Sequence, residues 1–170
     1  MTRRVAVVAL VGAALALGTS LWAQVQPSSG RLASLVDRTA IVEATNAARR
    51  RDGRFPLREN ARLDRAAQIQ ADQLAATGLL EHELKGVAFP TPADRLKEAG
   101  YDWAAYGENI AEGQHDARDV VASWMKSPAH RTNILDAGFT EIGVGWTIDA
   151  MGRSHFAQVF GRPIAPARQP

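Results

Sequence analysis

The sequence predicts an α+β layered domain. Two observations carry the prediction: between Asp37 and Pro128 three stretches repeat apolar residues at helical spacing and a fourth carries helix-capping signals, and from Ile142 onward the period shortens to that of a strand. Helices followed by an antiparallel hairpin imply stacked layers rather than the alternating βαβ order of a nucleotide fold. At 170 residues the chain has the length of one domain with room for a processed segment. Apolar residues at 46% and charged residues at 22% are ordinary globular usage, which excludes a disordered or fibrous chain. Cysteine is absent, and with it go disulfide frameworks, thiolate metal sites and cysteine nucleophiles.

The elements follow in order. From Asp37 to Arg51 a helix is expected, with Ile41, Ala44 and Ala48 on one face and Gly53 just past its end. Leu63, Ala66, Ala67, Gln70 and Leu74 share the face of a second helix, capped by Asn60 and stopped by Gly78. Thr91-Pro92-Ala93-Asp94 supplies a cap, a first-turn proline and an acidic third position for a short helix ending at Gly100. Asp116 caps a fourth helix with Ala117, Val120, Val121 and Trp124 on one face, ended by Pro128. Trp124 reads as core rather than ligand platform. Ile142, Val144, Trp146 and Ile148 then alternate with Gly143, Gly145 and Thr147, as in a strand with one buried face. Asp149 to Gly152 supplies turn residues, and Ser154 to Phe160 returns as the second strand of a hairpin.

The ends read differently from the body. Arg3 and Arg4 followed by the apolar run Val5 to Leu17, with cleavage after Ala23, give a secretory signal over 1–23. Residues 24–37, with Pro27-Ser28-Ser29-Gly30, form a spacer; the folded domain is expected over 38–162, and 163–170 is a proline-rich tail. The apolar run is shorter than the ~20 residues a bilayer span needs, so no permanent membrane span is expected after processing. Lys and Arg number 20 and Asp and Glu 18; losing Arg3 and Arg4 leaves 18 of each. A mature charge near zero argues against nucleic acid as partner.

The common chemical motifs do not occur: no phosphate loop, dinucleotide fingerprint, nucleophile elbow or H-E-x-x-H zinc helix is found. What remains is a set of separated polar residues: His82, then Glu108-Asn109 after Gly107, then His130-Arg131-Thr132-Asn133 after Pro128. If His82, Glu108 and His130 converge, two imidazoles and a carboxylate suit a divalent metal such as zinc with a position left for water. The same residues have a structural reading, in which Glu108 accepts main-chain N–H bonds in a glycine turn and the histidines bridge loops. Asn109 and Asn133 suit the holding of loop backbone. His115 and His155 have no nameable partner, and spacing alone leaves both readings of the trio open.

In order, His82, Gly107-Glu108-Asn109-Ile110-Ala111, Trp124, Ser127-Pro128-Ala129-His130-Arg131-Thr132-Asn133-Ile134-Leu135 and Ile142-Gly143-Val144-Gly145 resemble the CAP superfamily. That superfamily comprises the cysteine-rich secretory, antigen 5 and pathogenesis-related proteins, and this chain resembles its cysteine-free bacterial branch. Asn46-Ala47-Ala48-Arg49, Asp94-Arg95-Leu96, Ala99-Gly100-Tyr101 and Gln158-Val159-Phe160-Gly161 extend the match over Thr39 to Gly161. The resemblance implies an α-β-α sandwich with a small antiparallel sheet between helical layers, and a cleft faced by two histidines and two glutamates where divalent metal binding has been proposed. By motif, His82, Glu108 and His130 match three of these four, and Ser127 stands where many members carry the second glutamate.

The functional expectation is an exported, non-enzymatic binding module, periplasmic or secreted, with a small molecule, a lipid or a divalent metal such as zinc at His82, Glu108 and His130. Asn109, Asn133 and Ser127 support that cleft. No cofactor is certain. One alternative is a metal-assisted hydrolase of peptides or envelope material, with Glu108 as ligand or general base. The other is an envelope domain that binds another protein and whose cleft is purely structural. The fold alone does not decide among them.

Overall fold

A computed structural model describes residues 38–165. The expected signal and spacer, and the end of the expected tail, lie outside them. Five helices, α1 (Arg38–Arg51), α2 (Ala61–Thr77), α3 (Pro92–Glu98), α4 (Ala117–Lys126) and α5 (Pro128–Leu135), accompany four strands. The strands are β1 (Arg58–Glu59), β2 (Trp103–Glu112), β3 (Glu141–Ile148) and β4 (Ser154–Pro163), in the sheet order β1-β3-β4-β2. β2, β3 and β4 are antiparallel, and two-residue β1 joins β3 in parallel.

The caps form where the sequence places them. The Asn60 side chain accepts from Arg62 N–H, and Gly78, at φ 67°, donates to Leu74 O. Thr91 and Asp94 complete a reciprocal capping box, and the Asp116 carboxylate accepts from Arg118 and Asp119 N–H.

Two apolar layers sandwich the sheet. Ile142, Val144, Phe156 and Phe160 meet Ile41 of α1, Val120, Val121 and Trp124 of α4, and Ile134 of α5 on one face. On the other face Ile110, Ala157 and Val159 meet Leu63, Ala67 and Leu74 of α2 and Leu96 of α3. Helices on both sides of one sheet make the α-β-α sandwich. Trp124 is 1% exposed, and its Nε1 donates to Ile110 O at 3.1 Å.

The structure departs from the sequence expectation at four places. Residues 103–112 are not a glycine turn but a ten-residue strand at the sheet edge, because Gly107 to Glu112 pair in register with Phe160 to His155. Pro128 ends α4 and also opens α5: a first-turn proline needs no N–H partner, so one residue serves both helices, with Ser127 between them as C-cap and N-cap. β3 is buried on both faces from Glu141 to Gly145, since Gly143 and Gly145 lie under α2. The return strand also runs to Pro163, which pairs with Trp103, so the expected tail begins inside β4.

β3 outruns its short neighbour β1, which would leave its free edge without partners. α2 fills the gap: Asp64 Oδ1 accepts from Val144 N–H at 2.9 Å, while Gln68 accepts from Trp146 N–H and donates to Trp146 O. Buried main-chain groups demand such partners. Among the described residues no helix is long and apolar enough to cross a membrane.

Candidate functional site

The site is assembled around the edge strand β2. Successive residues of a strand face opposite sides. Ile110 packs in the α2 and α3 layer, so Glu108, two residues before it, faces the same way; Asn109 faces α5 and meets Gln158.

Glu108 is 7% exposed, and a buried carboxylate requires partners. Arg95, 1% exposed on α3, supplies them: its Nη2 donates to Oε1 at 3.1 Å and Oε2 at 3.0 Å. The same guanidinium donates to His82 O at 3.0 Å and to Phe89 O. Gln70 of α2 donates to Glu81 O at 2.8 Å, and Gln73 exchanges two bonds with Phe89. The irregular segment 79–90 is thereby fixed on both sides of His82. With its main chain held, His82 Nδ1 lies 2.9 Å from Glu108 Oε1. The carboxylate is acceptor-only, so this ring nitrogen carries the hydrogen, and Nε2 of the half-exposed side chain is left outside that bond.

His130 comes from α5. Asn109 Nδ2 donates to His130 O at 3.2 Å, and Asn133 Nδ2 donates to Glu108 O and to Asn109 Oδ1. Burial, with the nearby charge of His82, holds the His130 imidazole below its ordinary value. The ring is therefore neutral at pH 7. Asn109 and Asn133 do bond main chain, as their residue type suggests, but from a strand and a helix rather than from loops. Ser127 is the hinge between α4 and α5 and makes no side-chain capping bond.

The expected three-ligand metal set does not fit this arrangement. Both Glu108 oxygens accept from Arg95 and one also faces His82, so ligation would strip a buried guanidinium of its counter-charge. Among the described residues no group of three His, Cys, Asp or Glu side chains is placed to hold a metal ion. Glu108 instead orients His82.

The histidines outside the cleft have separate duties. His155, fully buried at the start of β4, lies with Nε2 3.0 Å from Asp149 Oδ2; that bond and main-chain donors hold the Asp149 carboxyl at about 2. The His115 main-chain N–H donates to Asp119.

A groove of about 1340 Å³ lies elsewhere, between α1 and α4. Ala40, Ala44, Val121 and Met125 line its apolar part, and Arg50, Arg51, Arg118 and Lys126 also line it.

The family model of the cysteine-rich secretory proteins, CAP, matches residues 42–160. The chain belongs to that family. Its cysteine-free CAP domain is similar to an uncharacterized protein, YkwD, of Bacillus subtilis (strain 168), 37% identical over 106 residues, 62% of this chain and 40% of that one. It is also similar to an extracellular protein containing a SCP domain from Bacillus anthracis str. Ames, with TM-score 0.66 and 27% identity over 74% of this chain and 40% of that one. An outer surface protein of Borrelia burgdorferi shares the fold at TM-score 0.67 and 21% identity, over 74% of this chain and 92% of that one. The chain thus spans about two fifths of the length of YkwD and of the anthracis protein.

Arg95 is the site residue that sequence reasoning missed. Its signal is an arginine beside Leu96 in the first turns of a short helix, one position after the capping-box aspartate. A charged residue on a buried stripe must have a partner, but spacing cannot say that the partner is Glu108.

Proposed function

We propose that this CAP domain is an exported, non-enzymatic binding module whose polar cleft recognises a small ligand through His82 Nε2 and His130. The carrying observation is the state of Glu108. A general base or a metal ligand needs a lone pair open to the reacting group, whereas Glu108 is buried, and Arg95 and His82 occupy both positions of Oε1 and one of Oε2. Ser127 adds no carboxylate in its place. Hydrolysis therefore lacks its base, while two imidazoles on a rigid frame remain suited to binding. The groove between α1 and α4 supports a second, lipid-binding surface: its apolar lining suits an acyl chain and its basic residues an anionic head. Export is supported by the extracellular and outer-surface relatives.

Zinc ion serves as a probe of two adjacent imidazoles. Calorimetry at pH 7.5 is expected to give saturable one-to-one binding, far weaker than a four-ligand structural zinc site, and lost in the folded His82→Ala/His130→Ala variant. Labelled casein with zinc present is expected to show no turnover that Glu108→Gln removes. Equal zinc binding by parent and variant would defeat the cleft reading, and Glu108-dependent turnover would establish the hydrolase instead.

A further inference from the structure

Beneath the cleft a chain of buried side-chain hydrogen bonds runs across the core to α1. Thr45 Oγ1 lies 2.8 Å from Ile41 O, Gln158 Nε2 lies 2.7 Å from Thr45 Oγ1, and Asn109 Nδ2 lies 3.2 Å from Gln158 Oε1. Thr45, Gln158 and Asn109 are each 0% exposed. Beyond Asn109 the chain divides to His130 O and, through Asn133, to Glu108 O.

The direction of every bond follows from one end. A hydroxyl has one hydrogen, and that of Thr45 is committed to a helix carbonyl, so toward Gln158 it is an acceptor. Gln158 must then present its NH₂ to Thr45 and its oxygen to Asn109. Asn109 in turn must present its NH₂ to Gln158 and His130 O, which leaves its oxygen for the Asn133 NH₂. An amide without such an anchor can sit either way round. Turned over, Asn109 would set its oxygen against both the Gln158 and the His130 carbonyls, and a buried polar clash of that kind costs more than a lost bond.

From this geometry we infer that Gln158, with Thr45 behind it, is the positioning residue of the cleft: through Asn109 it fixes the approach of His130 on α5 to Glu108 on β2. The inference rests on the cleft being the functional site, and it deepens that reading. Gln158 touches no ligand. It acts by deciding which way Asn109 faces, from the opposite end of a chain anchored in α1.

The test needs no ligand, so its outcome is separate from whether the cleft binds anything. Nuclear magnetic resonance at pH 8 compares the parent with Thr45→Val, Gln158→Met and Thr45→Ser. In Thr45→Val and Gln158→Met the His130 ring and Glu108 N–H resonances are expected to move while the His155 ring, outside the chain of bonds, stays; Thr45→Ser restores the parent positions. Folded variants with a lower Tm but unmoved His130 and Glu108 resonances would overturn the inference and leave Gln158 a core residue only. The parent alone supplies a second check that no folding failure removes. Both Asn109 Nδ2 hydrogens are held, so they are expected to persist in D₂O after exposed side-chain amides have exchanged, and immediate exchange would overturn the inference.

Discussion

Arg95→Ala is expected to be among the most destabilising single changes in this protein, costing about 3–5 kcal/mol, the range for removing one partner of a buried ion pair. Arg95 and Glu108 side chains are 1% and 4% exposed, so solvent does not screen the loss. The substitution strands the Glu108 charge and also frees the carbonyls of His82, Phe89 and Pro90. Against a total stability of about 5–15 kcal/mol this is a large share. Urea unfolding measures it, with limited proteolysis reporting the release of segment 79–90. The double variant Arg95→Met/Glu108→Leu is expected to recover the part of the loss that comes from the stranded charge, while the three carbonyls stay without their donor. Losses that simply add in the double variant would show that the pair is not the origin of the effect.

Gly145→Ala is the second large effect, for a different reason. A Cβ there would stand 2.3 Å from Gln68 N and 2.4 Å from Ala67 C, and at Gly143 one would stand 2.1 Å from Leu63 C. These are main-chain atoms of a helix, which cannot rotate away as a side chain would. Making room would lift α2 from β3 and break the bonds by which Asp64 and Gln68 complete the strand edge. The expected cost is about 3 kcal/mol or more, the upper end for overpacking. Thermal unfolding checks it, and a Gly145→Ala protein within about 1 kcal/mol of the parent would contradict the close approach.

These two residues also show what the sequence disclosed. The glycines of β3 were visible as the alternation of a strand, but periodicity reports which residues are apolar, not which face a helix presses upon; a face made of glycine therefore reads as open. The caps at Asn60, Thr91 and Asp116 were legible because capping is a local contract between residues a few positions apart. β2 was not, because Gly107, Glu108 and Asn109 carry turn composition, and only pairing with the distant β4 makes them a strand. α5 was hidden by Pro128, which stops one helix and starts the next with the same ring. Among the site residues, His82, Glu108 and His130 were named from motif order. Their spacing does not show Arg95, whose bonds to both Glu108 oxygens hold that carboxylate in place.

Glu108 holds His82 by Nδ1 and leaves Nε2 open to the cleft. Ring nitrogen spectra of the protein at pH 8, correlating each histidine nitrogen with its carbon-bound hydrogens, read this tautomer directly. His82 is expected to carry a hydrogen on Nδ1, shifting toward the ordinary mixture in Glu108→Gln. A His82 ring carrying its hydrogen on Nε2, or averaging between tautomers in the parent as a free imidazole does, would contradict it.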